Sequence, residues 1–227
     1  MKVNPIIVAL DVPNAAEARA IVAACGEHVG FYKVGLELFT AEGPAIVREL
    51  VGQGKRVFVD LKMYDISETV KRAAARVAAL GASLLTVHAS PQVVRAAVEG
   101  AAGSQLKILA VTVLTSCDQA DLEAVGVTGR TVAEQVEFLA AKSLQAGAHG
   151  LVCSPLEVKR LRALTGPEAV LVTPGVRSLG EGHGDQKRVA TPAQAMADGS
   201  TYLVIGREIT RAGDPAAASL RIVNDLG

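Results

Sequence analysis

Arg56-Val57-Phe58-Val59-Asp60-Leu61-Lys62-Met63-Tyr64-Asp65-Ile66-Ser67-Glu68-Thr69-Val70 is the stretch that decides how this chain is read. Its first four residues form an apolar run of the kind that makes a buried strand, and Ser67-Glu68-Thr69-Val70 reads as a helix start. Two carboxylates and one lysine therefore fall at the end of a strand and in the turn after it. Charged groups are rarely buried unless paired. Asp60, Lys62 and Asp65 can pair with one another, and the two acids can keep the lysine protonated as a proton donor. The alternative is a surface salt-bridge cluster on a loop, and the choice depends on the rest of the chain.

Working outward, the same strand–turn–helix pattern occurs eight times. Strands are expected at 6–11, 31–35, 57–61, 84–88, 107–113, 150–153, 169–173 and 202–206. Most are continuous apolar runs, as in a parallel sheet covered on both faces. Helices are expected at 14–25, 43–53, 67–80, 91–102, 132–146, 155–164, 192–198 and 215–226, with a short additional helix within 118–129. Pro91, Pro155, Pro192 and Pro215 each stand near a helix start, where proline is tolerated. Eight βα units in 227 residues predict an α/β protein folded as a single (β/α)8 TIM barrel, one domain over residues 1–227. A doubly wound open sheet is the alternative. It usually has fewer strands, and no GxGxxG follows the first strand here.

Composition narrows the function classes. Half the residues are hydrophobic but only 3% are aromatic and none is Trp, so the core must be built from Ala, Val, Leu and Ile. Lys and Arg number 23 and so do Asp and Glu, which argues against nucleic acid or an anionic membrane as partner. Cys25, Cys117 and Cys153 are widely spaced with no CxxC, as expected of free thiols in a reducing compartment. Met1-Lys2-Val3-Asn4-Pro5 reads as leading straight into the first strand, so no signal peptide is expected, and no apolar stretch has the length of a membrane span. A cytoplasmic protein is expected.

In a barrel of this kind the active site lies at the C-terminal ends of the strands. Asp11 ends the first strand, Lys33 lies in the second, Asp60 and Lys62 end the third with Asp65 beyond, and His88 ends the fourth. Thr115 and Ser116 follow the fifth, Arg177 the seventh, and Gly206-Arg207 the eighth. Scattered surface charge would not gather at one rim. The seventh loop continues through Gly180, Gly182, His183, Gly184 and Gln186, and its glycines let backbone approach a ligand closely. Loops after the seventh and eighth strands commonly hold phosphate, and here Gly206 offers a backbone N–H, Arg207 a bidentate fork and Gln186 a neutral donor. His183 is a candidate ligand contact, whereas His88 reads as a satisfied rim or core histidine and His28 and His149 as structural or exposed. Cys153 reads as packing. No set of residues has metal-ligand spacing, and Lys62 between Asp60 and Asp65 argues against a cation there.

These residues resemble the orotidine 5′-phosphate decarboxylase family. Asp60-x-Lys62-x-x-Asp65-Ile66-x-x-Thr69 is similar to its signature. So are Ile7-Val8-Ala9-Leu10-Asp11, Lys33-Val34-Gly35 and Val111-Thr112-Val113-Leu114-Thr115-Ser116, each at its place in the order. Val172-Thr173-Pro174-Gly175-Val176-Arg177, Gly184-Asp185-Gln186 and Val204-Ile205-Gly206-Arg207 continue the likeness over nearly the whole chain. The resemblance implies a cofactor-free and metal-free lyase of pyrimidine biosynthesis that converts orotidine 5′-phosphate to UMP. It implies that Lys33, Asp60, Lys62 and Asp65 form an alternating charge array in which Lys62 protonates C6 of the pyrimidine. Asp11 and Lys33 are implied to contact the ribose hydroxyls, Thr115 to lie near the pyrimidine edge, and Gln186, Gly206 and Arg207 to hold the phosphate, with Arg177 among the ligand contacts. It further implies a homodimer in which Asp65, Ile66 and Thr69 reach the neighbouring subunit's site. The departures are local: Ser67 stands where family members often have Pro, and Met63-Tyr64 replaces a Phe-His pair. A related sugar-phosphate decarboxylase that shares the Asp-x-Lys-x-x-Asp pattern and uses Mg²⁺, and a catalytically silent nucleotide-binding barrel, are the competing readings.

Overall fold

The computed structural model describes residues 4–178 and 190–226. Eight parallel strands close on themselves in chain order: β1 (Ile6–Ala9), β2 (Phe31–Gly35), β3 (Arg56–Met63), β4 (Leu84–His88), β5 (Lys107–Val111), β6 (Gly150–Val152), β7 (Val170–Thr173) and β8 (Tyr202–Ile205). The last pairs with the first through Ile6↔Leu203 and Val8↔Ile205, so the sheet has no edge. The fold is a (β/α)8 TIM barrel, with helices between the strands.

Both faces of each strand are apolar because each face meets a different core. Ile6, Val8, Tyr32, Val34, Val57, Val59, Leu85 and Leu203 point outward to the helices. Ile7, Phe31, Phe58, Leu84, Leu109, Val172 and Val204 point inward and fill the lumen. At the N-terminal end of the barrel the Arg56 guanidinium lies 4.1 Å from the centre of the Phe31 ring and donates to the Tyr202 hydroxyl at 3.0 Å. That end is packed shut, which leaves the C-terminal end for a ligand.

The helices, in chain order, are α1 (Ala15–Cys25), α2 (Leu36–Glu42), α3 (Pro44–Gly52), α4 (Ser67–Ala79), α5 (Pro91–Gly100), α6 (Gln119–Ala124), α7 (Val132–Gln145), α8 (Val158–Thr165), α9 (Pro192–Ala197), α10 (Arg207–Thr210) and α11 (Pro215–Asn224). The strands and most of the helices fall where the hydrophobic pattern puts them, and α6 is the expected additional helix. Three differences have local causes. Helix begins at Leu36 instead of 43, because Gly43 at φ 61° followed by Pro44 divides one helical stretch into α2 and α3. Pro155 lies in a turn ahead of α8, closed by the Ser154 amide donating to Glu157 Oε2 at 3.0 Å. The short α10 directly follows β8, where the sequence pattern was too brief to signal a helix.

Candidate active site

Strand alternation delivers the polar residues to one place. Side chains two positions apart share a face of a strand. Two residues on from the lumen positions Ala9, Phe31, Phe58, Leu84 and Val204 come Asp11, Lys33, Asp60, Thr86 and Gly206. The apolar plug of the barrel is thus followed, on the same face, by a polar layer.

Lys33 is almost fully buried, and an ammonium there needs partners. Its Nζ stands 2.7 Å from Asp11 Oδ1 and 3.7 Å from Asp60 Oδ2. Asp60 in turn holds the Lys62 ammonium, whose Nζ donates at 3.0 Å to Oδ1 and 2.9 Å to Oδ2. The result is a row of alternating charge, Asp11–Lys33–Asp60–Lys62, within a single chain. Gly35 makes room for its first half: a Cβ there would lie 2.9 Å from both Asp11 Oδ1 and Lys33 Nζ.

Lys62 reaches Asp60 through an irregularity in β3. The pairing passes from Val59↔Leu85 to Met63↔Val87, so four steps along β3 run beside two along β4. Lys62 lies inside this bulge at φ 48° and is the one non-glycine residue with positive φ among the described residues. Its backbone N–H donates to Thr86 Oγ1 at 2.9 Å, and the Thr86 hydroxyl donates to Asp60 Oδ1 at 2.8 Å. Thr86 escaped the sequence reading because it lies inside an apolar strand and not at its end. The signal was its place two residues after Leu84 and two before His88 on one face of β4.

His88 is half-buried, with the Tyr64 ring edge-on to it at 5.7 Å. Burial and then the charge of Lys62 hold its imidazole below the ordinary histidine range. It stands at the rim, packed against the Tyr64 ring. His149 accepts from the Ile108 amide at 3.1 Å through Nδ1, a structural contact far from this rim.

Asp11, Lys33, Asp60 and Lys62 line a cavity of about 930 Å³ at the C-terminal mouth, and Thr115, Arg177, Gly206 and Arg207 line it too. In barrel order β7 lies opposite β3, so the two arginines that follow β7 and β8 stand across the mouth from Lys62, with the Asp11–Lys33 pair of β1 and β2 between. Glu37 and Arg211 also line the cavity from α2 and from the residue after α10. They escaped the sequence reading because neither lies at a strand end. The base of the seventh loop is held by the Arg177 amide donating to Ala190 O at 3.0 Å and the Ser178 amide donating to Glu208 Oε2 at 3.2 Å. His183 and Gln186 lie outside the described residues.

Asp65, Ile66 and Thr69 are exposed and do not line the cavity of their own chain. Asp65 Oδ1 accepts from the Ile66 amide at 2.6 Å, and Asp65 makes no ion pair among the described residues. Within one chain, then, Asp11 is the residue that joins Lys33, Asp60 and Lys62 in the charge row. Among the described residues no group of three or more His, Cys, Asp or Glu side chains stands together as a metal site. No described helix is long and apolar enough to cross a membrane.

Comparison with known proteins points to one family. The sequence profile of the Orotidine 5'-phosphate decarboxylase / HUMPS family matches residues 4–222. An orotidine 5'-phosphate decarboxylase of Rhodopseudomonas palustris (strain HaA2) is 51% identical over 221 residues, spanning 97% of this chain and 94% of that protein. One from Cereibacter sphaeroides is 51% identical over 225 residues, spanning 97% of this chain and 96% of that protein. The crystal structure of orotidine 5'-phosphate decarboxylase from Lactobacillus acidophilus superposes with a TM-score of 0.88 at 40% identity, covering 99% of each chain.

Proposed function

The chain belongs to the Orotidine 5'-phosphate decarboxylase / HUMPS family, and from that premise we propose that it decarboxylates orotidine 5′-phosphate to UMP, the last step of de novo pyrimidine synthesis, without metal or organic cofactor. The observation that carries the proposal is the Lys62 ammonium, clamped on both oxygens of Asp60 at 2.9 and 3.0 Å and facing a cavity that has Arg177 and Arg207 on its far side. A nucleotide fits that layout. Its phosphate would meet Arg207, Gly206, Gln186 and Arg177, its ribose hydroxyls Asp11 and Lys33, and its pyrimidine Lys62 and the edge near Thr115.

In the reaction the bond between C6 and the carboxylate carbon breaks, the electron pair stays on C6, and CO2 leaves. No neighbouring group delocalises that charge, so the barrier must be lowered by preorganised electrostatics. Two unit charges about 4 Å apart at an effective dielectric of about 20 interact by about 4 kcal/mol. The Lys62 ammonium therefore supplies a useful share of the ~8–23 kcal/mol enzymes typically provide. Lys62 then transfers a proton from Nζ to C6 and is reprotonated from solvent. Asp60 keeps Lys62 oriented and disfavours the substrate carboxylate in the ground state. Binding energy from the remote phosphate organises the reacting end.

The working unit in this proposal is a homodimer of one-domain chains in the cytoplasm, with Asp65, Ile66 and Thr69 of each chain completing the other's site. The exposure of Ile66 (70%) and Tyr64 (66%), large apolar groups on the rim loop, supports a surface that is covered in the assembly. The direct test is the loss of pyrimidine absorbance when the protein is mixed with orotidine 5′-phosphate, with and without EDTA. Turnover to UMP that survives EDTA is expected. Absence of turnover overturns the proposal, and turnover abolished by EDTA and restored by Mg²⁺ overturns its cofactor-free chemistry.

A further inference from the structure

Lys62 owes its position to a residue that does not line the cavity. Thr86 is fully buried in β4, and its hydroxyl is shared between the two parts of the charge array that matter most. A hydroxyl has one hydrogen and two lone pairs. The Lys62 amide can only donate, so Thr86 Oγ1 accepts from it, at 2.9 Å. A carboxylate can only accept, so the one hydroxyl hydrogen goes to Asp60 Oδ1, at 2.8 Å. The same oxygen of Asp60 receives the Lys62 ammonium at 3.0 Å. Thr86 thus closes a ring that runs from the Lys62 backbone through its hydroxyl to Asp60 and back along the Lys62 side chain.

The ring matters because the backbone is irregular there. In a regular parallel ladder the Lys62 N–H would find a carbonyl on the neighbouring strand. In the β3 bulge it finds Thr86 Oγ1, and Lys62 is held at φ 48°, a conformation that L-residues adopt only when their surroundings over-determine it. A straight β3 would turn the lysine side chain elsewhere. The Thr86 hydroxyl is the polar group that satisfies this bulge and also fixes the rotation of the Asp60 carboxylate.

We infer that Thr86 is a positioning residue for decarboxylation: its hydroxyl sets the direction in which Lys62 presents its proton, acting through Asp60 and the Lys62 backbone without touching substrate. This inference rests on Lys62 being the proton donor of the proposed reaction. Misplacing a catalytic group by about 1 Å can cost about 10²-fold in rate, and a group that acts only on the reacting end should leave the remote phosphate grip intact.

The test compares Thr86→Val, which keeps the shape and loses the hydroxyl, with Thr86→Ser, which keeps the hydroxyl and loses the methyl. The expected result for Thr86→Val is a fall in kcat of about 10- to 100-fold with KM and UMP affinity within about threefold. Thr86→Ser should stay within about threefold of wild type. Should Thr86→Val fold poorly, Thr86→Ala against Thr86→Ser makes the same comparison, because both lose the methyl and only one keeps the hydroxyl. Equal kcat in the hydroxyl-free variant and wild type overturns the inference, and so does equal loss in the hydroxyl-free variant and Thr86→Ser. Wild type and Lys62→Ala run alongside separate the two claims. If wild type turns over and Lys62→Ala does not, a neutral Thr86→Val sinks only the role of Thr86. If Lys62→Ala stays active, the proton-donor reading itself fails.

Discussion

Lys62 Nζ lies 2.9 and 3.0 Å from the two oxygens of Asp60, although the residues are only two apart in sequence. In a regular strand residues i and i+2 point the same way but stand almost 7 Å apart along the chain, about twice the rise per residue. The bulge in β3 folds that distance so that the lysine side chain turns back over the carboxylate. Lys62→Ala should therefore lower kcat by at least about 10³-fold, the equivalent of the roughly 4 kcal/mol of one close charge interaction. UMP titrated calorimetrically should still bind if, as proposed, its phosphate is held across the barrel by Arg177 and Arg207. Turnover within tenfold of wild type would count against Lys62 as the donor.

Arg207 should act on binding. A charge-assisted hydrogen bond contributes about 1.5–3 kcal/mol, so Arg207→Ala should weaken UMP and raise KM for orotidine 5′-phosphate by about 10- to 100-fold. Uridine, which has no phosphate, should bind wild type and variant alike. Equal UMP affinity in the two proteins would move the phosphate elsewhere.

If Asp65 serves the neighbouring site, two inactive proteins will complement each other. Lys62→Ala and Asp65→Ala chains, unfolded and refolded together, would form mixed dimers in which one site has lost both groups and the other has kept both. Random pairing then recovers about a quarter of wild-type activity. Mixtures no more active than their separate components would place Asp65 in its own chain's site or outside any.

Gly35 separates a packing constraint from a backbone one. Its φ of −93° suits any residue, yet a Cβ would press on Asp11 and Lys33 at 2.9 Å. Gly35→Ala should displace that pair and lower turnover by about tenfold, at little cost in stability, because both contacts are the far ends of flexible side chains. Denaturant melts and steady-state kinetics would measure both, and unchanged kinetics would mean that the pair moves aside without consequence.

His88 predicts an acid-side loss of stability. Burial and the Lys62 charge hold its folded-state value below the ordinary 6.5. The unfolded chain therefore binds the proton more readily, and stability rises with pH where the two forms differ. The contribution is whole above about pH 6.5 and is lost progressively as pH falls below that value toward the folded one. His88→Gln should flatten the dependence of unfolding free energy on pH on the acid side of about 6.5, read from urea melts. An unchanged slope would assign the acid sensitivity to other groups.

The eightfold alternation of apolar strand and Ala-rich helix was enough to determine the barrel, because period and run length report local burial directly. The strand ends at Asp11, Asp60 and Lys62 could be read as a site because charged residues rarely follow apolar strands at one rim by chance. Asp11 paired with Lys33 was not legible, since that contact depends on the register in which β1 pairs with β2. Thr86 was hidden for a similar reason. A threonine within an apolar strand looks like β propensity until the neighbouring strand brings Asp60 and the Lys62 amide to its hydroxyl. The bulge that gives Lys62 its positive φ has no sequence signature at all, for no glycine or proline marks it. Sequence alone determined which strand-end residues face the mouth of the barrel, because side-chain alternation is local. Which of them touch was decided only by the tertiary structure, because contact between strands depends on register.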